Sequence, residues 1–145
     1  MINVREIEAG QTKLAAETML ALRPRWQTAD AVVAVIDTHL RPEGYRLVGA
    51  FEQERENALS IMGFRELWSS AWGHHLYVDD LFTLPEARRR GHADLLMEWV
   101  RDVARSLGCE AINLDSGVSA DRAPAHRLYM RHRMVITAHH FTATV

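Results

Sequence analysis

Leu81-Phe82-Thr83-Leu84-Pro85-Glu86-Ala87-Arg88-Arg89-Arg90-Gly91-His92-Ala93-Asp94-Leu95-Leu96 decides the fold of this chain. A β-prone run stops at a proline turn, a basic glycine loop follows, and an amphipathic helix begins. Gly91 carries no Cβ, so the backbone there can come close to a ligand. The helix behind it aims its unpaired N–H groups and the positive end of its dipole at the same point. Three arginines at a helix start oppose that dipole unless an anion sits among them, which a merely solvated charge run would not explain. The stretch therefore predicts a cradle for phosphate or pyrophosphate.

Working outward, Leu95, Leu96, Trp99, Val100, Val103, Ala104 and Leu107 share one broad helical face, and Gly108 is placed to close the helix. His75 to Thr83 reads as the strand before the loop and Glu110 to Asp115 as the strand after the helix. Strand, helix and strand in that order make a right-handed βαβ unit with parallel neighbours. Upstream, Asn3 to Ile7 suits a strand and Thr12 to Leu22 a helix stopped by Pro24. Thr28 can cap a second helix through Leu40, broken by Pro42-Glu43-Gly44. Tyr45 to Glu52 and Ala58 to Glu66 read as antiparallel strands turned by Gln53 to Asn57, and Trp68 to Gly73 leads into the next strand. Downstream, Ala125 to Arg131 suits a short helix, and Val135 to Val145 reads as a hairpin or bent strand pair. The fold class is α/β (α+β): a mixed, mostly antiparallel central sheet with one parallel βαβ unit and flanking helices, all in a single domain over residues 1–145.

With 145 residues, 48% of them hydrophobic, the chain has enough apolar material for a full core. The net charge of −2 argues against a nucleic-acid partner. Cys109 is the single cysteine and has no partner for an internal disulfide; the charged start Met1 to Glu8 does not suit a signal peptide, and no run is long enough to span a membrane. These readings predict a cytoplasmic protein without a membrane partner. Adjacent histidines such as His74-His75 and His139-His140 point to opposite faces of a strand and cannot chelate one ion as local pairs, so no metal is expected. Trp68 and Trp72 can border an acceptor pocket, pack in the core or meet a second copy in a homodimer.

The spacing Arg88-x-x-Gly91-x-Ala93 after a strand resembles the acetyl-CoA motif of the GCN5-related N-acetyltransferases, the GNAT family. The element order is similar over nearly the whole chain, although only Tyr77 to Tyr129 carries motif positions. The resemblance implies acetyl-CoA as acetyl donor, with its pyrophosphate on the loop Arg88, Arg89, Arg90, Gly91, His92 and Ala93. It implies that the main chain of Leu81, Phe82 and Thr83 binds the pantetheine arm, and that Arg122 stands where an asparagine often touches that arm. It implies transfer to a primary amine of a small molecule or protein by direct attack in a ternary complex. Alternation on the strand predicts Tyr77, Asp79, Leu81 and Thr83 on one face and Val78, Asp80 and Phe82 on the other. The family places a proton acceptor near Asp79 or Tyr77, which makes Asp79 the candidate base and leaves Asp80 a structural part. Ala125-His126-Arg127-Leu128-Tyr129 resembles the family's fourth motif, which makes Tyr129 the candidate acid for the departing thiolate. Arg133 replaces the glycine usual in the turn that follows. The rival reading is a non-catalytic module that binds acyl-CoA on the same fold.

Overall fold

Sixteen residues from His92 to Leu107 form α3, the helix expected behind the glycine loop, and Gly108 ends it in the left-handed conformation at φ 76°. The computed structural model describes all 145 residues in two units, Met1–Asn113 and Leu114–Val145. In the first, β1 (Ile2–Glu6), α1 (Ala16–Leu22), α2 (Ala29–Val35), β2 (Arg46–Glu52), β3 (Ser60–Ser69) and β4 (Gly73–Thr83) precede α3. Then β5 (Ala111–Leu114) closes a five-stranded sheet in the order β1-β2-β3-β4-β5. The pairs β1/β2, β2/β3 and β3/β4 are antiparallel, and β4/β5 is the one parallel pair.

Thr28 caps α2 as expected, its hydroxyl accepting from Ala31 N at 3.1 Å. The helical path continues to Leu40 through a wider turn, and Gly44 at φ 89° ends the segment. Leu47, Phe51 and Ile61 face this helical layer and pack with Met19, Val32 and Ile36. The other face of the sheet takes α3, whose Leu96, Met97 and Val100 are buried, and Trp99 meets Phe64 edge-on at 6.0 Å. No helix is long and apolar enough to cross a membrane.

Three expectations change. First, β3 and β4 are longer than the sequence suggests, so His74 lies inside β4 along with His75, and His75 is buried. Second, the pairing shifts between Gly63 and Phe64: Gly63 faces Asp80 while Phe64 faces Val78, which leaves Asp79 as the extra residue of a β-bulge. Met62 and Arg65 lie on opposite faces of β3, so their partners Leu81 and Tyr77 do too, and the strict alternation from Tyr77 to Thr83 fails. Third, residues 135–145 form no strand. A β-prone sequence reports side chains that fit a pleated, half-buried surface, and Val135, Ile136, Phe141 and Val145 are exposed.

In the second unit, α4 (Ala123–Arg131) carries Pro124 in its first turn and buries Leu128 and Tyr129. His132 N bonds back to Leu128 O, and Arg133 takes the positive φ of 64° that a glycine would adopt freely.

Candidate active site

The loop between β4 and α3 has the geometry of an anion cradle. Arg89 at φ 63° and Gly91 at φ 88° both adopt left-handed backbone, and Gly91 serves as the N-cap of α3. The first helical bond behind them runs from Leu95 N to Gly91 O at 3.1 Å, so the amides at the helix start have no carbonyl within their own helix. A Cβ on Gly91 would meet nothing within 4 Å, although its φ strains any L side chain. The backbone thus opens directly onto unoccupied space at the positive end of a sixteen-residue helix.

The three arginines divide their tasks. Arg88 lies over the Phe82 ring at 5.4 Å and donates from Nε to Thr83 O at 3.2 Å, which braces the loop against the strand end. Arg90 reaches Glu52 Oε1 at 2.9 Å. Arg89 is exposed, and its guanidinium makes no ion pair within the protein. His92 turns inward: its side chain is fully buried, with Nε2 3.0 Å from Glu52 Oε1 but out of line for a hydrogen bond. As the first residue of α3, it offers its backbone amide among those at the helix start. Ala93 is partly exposed beside it.

Leu81, Phe82 and Thr83 end β4. Thr83 Oγ1 is tied to Ser60 Oγ at 2.7 Å, and Ser60 also donates to Phe82 O at 3.1 Å, so the strand end is held from the β3 side. On its other side, β5 starts beside His74, where Glu110 N donates to His74 O at 2.7 Å, and it runs only four residues. The backbone of Leu81 to Thr83 therefore extends past the stretch that β5 can pair. That leaves main-chain donors and acceptors at the strand end for another partner.

At the bulge Arg23 meets both acids, Asp79 through its carbonyl and Asp80 through its carboxylate. Asp80 is buried, accepts from Tyr45 Oη at 2.7 Å and pairs with Arg23 at 3.0 Å. Arg23 also donates to Asp79 O at 3.0 Å, which fixes the bulge carbonyl. Burial, reinforced by the Asp80 carboxylate, holds the Tyr45 phenol well above its ordinary pKa. A Cβ on Gly63 would stand 1.7 Å from the Tyr45 hydroxyl, so glycine is what lets Tyr45 reach Asp80. The Asp79 carboxylate is partly exposed and takes both prongs of Arg65, Nε to Oδ2 at 2.9 Å and Nη2 to Oδ1 at 2.8 Å. That hydrogen bond raises the Arg65 pKa. Each Asp79 oxygen accepts one of these bonds and keeps further acceptor capacity on its other lone pair.

In the second unit Tyr129 is buried, with Ser116 and Arg122 within hydrogen-bond reach of its phenol. Burial raises its pKa, against the opposing pull of Arg122 and Ser116. Two sequence-predicted residues, Arg122 and Tyr129, are thus neighbours, and His126 secures the same segment through Gly117 O at 2.8 Å. Sequence reading missed Tyr45, Arg23 and Arg65. The signals for them were weak: a glycine inside β3 at Gly63, and two acids side by side in a strand.

A model of the acetyltransferase (GNAT) family matches residues 11–133. The uncharacterized N-acetyltransferase YhdJ of Bacillus subtilis (strain 168) is 31% identical over 94 residues, which cover 65% of this chain and 63% of that protein. The match thus spans less than two thirds of the relative's length. Among solved structures, a ribosomal-protein-alanine N-acetyltransferase from Brucella melitensis biovar Abortus 2308 superposes with a TM-score of 0.81 at 14% identity, covering 100% of both chains. An aminoglycoside N-acetyltransferase, AAC(6')-Iy, in complex with CoA gives a TM-score of 0.80 at 16% identity, covering 100% of this chain and 95% of the other. At such low identity these structures establish a shared fold.

Proposed function

The chain belongs to the GNAT acetyltransferase family, and from that premise we propose that it moves acetyl from acetyl-CoA to a primary amine by direct attack in a ternary complex. The loop geometry carries the reading: two left-handed residues, an open Gly91 and the start of α3 suit a pyrophosphate, and Arg89 has a guanidinium to spare for it. The main chain of Leu81, Phe82 and Thr83 would bond the pantetheine arm where β5 no longer pairs, and an N–H there would polarise the thioester oxygen. Arg122 is assigned to the same cofactor.

An alkyl ammonium has a pKa near 10.4, so at neutral pH about one amine in a thousand is ready to attack. Asp79 is assigned to receive the amine's proton through water, using the acceptor capacity that Arg65 leaves free. Tyr129 is assigned to the departing sulfur. A thiol titrates near 8.5 and a phenol near 10, so full proton transfer from phenol to thiolate is uphill by about 2 kcal/mol. A hydrogen bond from the Tyr129 hydroxyl is the cheaper service, and the raised pKa keeps that hydrogen in place. The acceptor is a small amine, a polyamine, an aminoglycoside or a protein amine.

Thiol release from acetyl-CoA over a panel of these amines tests the reading, with Tyr129→Phe run beside the wild type. The expected result is amine-dependent release, with kcat lowered about 10²-fold or somewhat less in the variant and acetyl-CoA affinity unchanged. Tight acetyl-CoA binding without release for any amine would assign the chain to the non-catalytic alternative.

A further inference from the structure

At the opposite end of β4 from the arginine loop, three potential metal ligands of different chemistry converge. Glu66 lies on β3, His74 on β4, and Cys109 just beyond the left-handed Gly108 that ends α3. Cys109 therefore does not stand alone, as the sequence suggested. His74 Nε2 is 2.6 Å from Glu66 Oε2 and 3.6 Å from Cys109 Sγ, and the three ligand atoms all lie within 4.8 Å of one another. One nitrogen thus faces both other groups.

The backbone around the cluster is fixed from several directions. Trp68, the cross-strand partner of His74, stacks on its ring with centroids 4.7 Å apart and planes 3° from parallel. Glu110 N donates to His74 O at 2.7 Å, and His74 N donates to Glu110 Oε2 at 3.2 Å, so the residue after Cys109 is clamped to the residue that carries the imidazole. A Cβ on Gly73 would stand 2.0 Å from Glu110 Oε2, so a side chain there would break the clamp. Cys109 N returns to Ala104 O at 2.9 Å.

We propose that Glu66, His74 and Cys109 form a site for a divalent metal ion of zinc-like preference, with a fourth position open to water. Thiolate, imidazole and carboxylate are the ligands that zinc takes, and three protein ligands with one open position is a recognised zinc arrangement. Around a tetrahedral zinc the ligand atoms stand about 3.2–3.7 Å apart, given bonds of about 2.3 Å to sulfur and 2.0–2.2 Å to nitrogen and oxygen. The nitrogen–sulfur separation already fits. The nitrogen–oxygen separation must open by less than an ångström, which the half-exposed Glu66 side chain can supply. On binding, the Cys109 thiol proton and the hydrogen held between Nε2 and Oε2 both go to solvent, the imidazole keeps its hydrogen on Nδ1, and the metal takes the place of the two that leave. Cysteinate, glutamate and a dication sum to zero charge. His74 lies nine residues before Thr83, about 30 Å along an extended strand, so the ion would tie the segment after α3 to the β3–β4 hairpin and take no part in acetyl transfer.

Cobalt(II) is the probe, because a thiolate-to-cobalt charge-transfer band reports sulfur ligation and the chain has one cysteine. Titration of the metal-free full chain should give one ion per chain with that band, and added zinc should abolish it. Cys109→Ala should remove the band, while Glu66→Gln and His74→Gln should weaken cobalt binding about tenfold or more with circular dichroism unchanged. Zinc should raise Tm in the wild type and leave Cys109→Ala unmoved. A wild type with no charge-transfer band overturns the proposal. So does a band of undiminished affinity in Glu66→Gln and His74→Gln, which would mean that sulfur binds without them.

Discussion

Gly63, Tyr45 and Asp80 show how one missing side chain can set the chemistry of a site. The absent Cβ admits the Tyr45 hydroxyl, which bonds Asp80, which in turn holds Arg23, and Arg23 fixes the bulge carbonyl of Asp79. Tyr45→Phe leaves a buried carboxylate short of a donor and should cost about 1–3 kcal/mol. The Tyr45 pKa is raised above 10.0 in the fold, so the native state binds more protons than the unfolded chain at high pH. Its contribution is whole below pH 10 and is lost as the pH climbs toward the folded value. Denaturant melts between neutral pH and pH 11 should show that alkaline loss in the wild type and a smaller one in Tyr45→Phe. Equal slopes in the two proteins would remove Tyr45 from the alkaline behaviour. At Asp79 the expectation concerns rate. Asp79→Asn should depress kcat/KM most at neutral pH and recover partly as free amine becomes abundant, whereas Asp80→Asn should act through stability. A wild-type pH–rate profile for Asp79→Asn, with neutral-pH activity lost in a folded Asp80→Asn, would reverse the assignment.

Among the elements, the loop before α3 was legible because its information is local. A proline, a glycine and a helix start within a dozen residues fix the geometry whatever the rest of the chain does. The cap at Thr28 was legible for the same reason. The bulge at Asp79 was not, since period-two alternation carries no mark of an inserted residue, and the slip shows only against the partner strand. The Glu66, His74 and Cys109 cluster was hidden likewise: 35 positions separate His74 from Cys109, and only the sheet and the end of α3 bring them together. The tail from Val135 had strand-like residues and forms no strand, because propensity needs a partner edge. If backbone amides do most of the cofactor binding, Gly91→Val should weaken acetyl-CoA more than Arg89→Ala in calorimetry. The valine adds strain at φ 88° and places a side chain where the ligand approaches, while the alanine removes one exposed charge. Equal, wild-type affinity in both would exclude the loop from cofactor binding.

Across the whole molecule, the mostly antiparallel sheet with one parallel pair and the family membership follow the sequence closely, because helix periodicity and the order of elements survive low identity. Following the acetyl group tests the proposed donor, acceptor and route together. Wild-type protein is incubated with acetyl-CoA labelled in the acetyl carbon and an accepted amine, and both amine and intact protein are weighed by mass spectrometry. Direct transfer predicts label in the amine, free CoA thiol in equal amount and none on the protein at any time. Label that appears first on the protein, or CoA thiol released while the amine stays unlabelled, would contradict it.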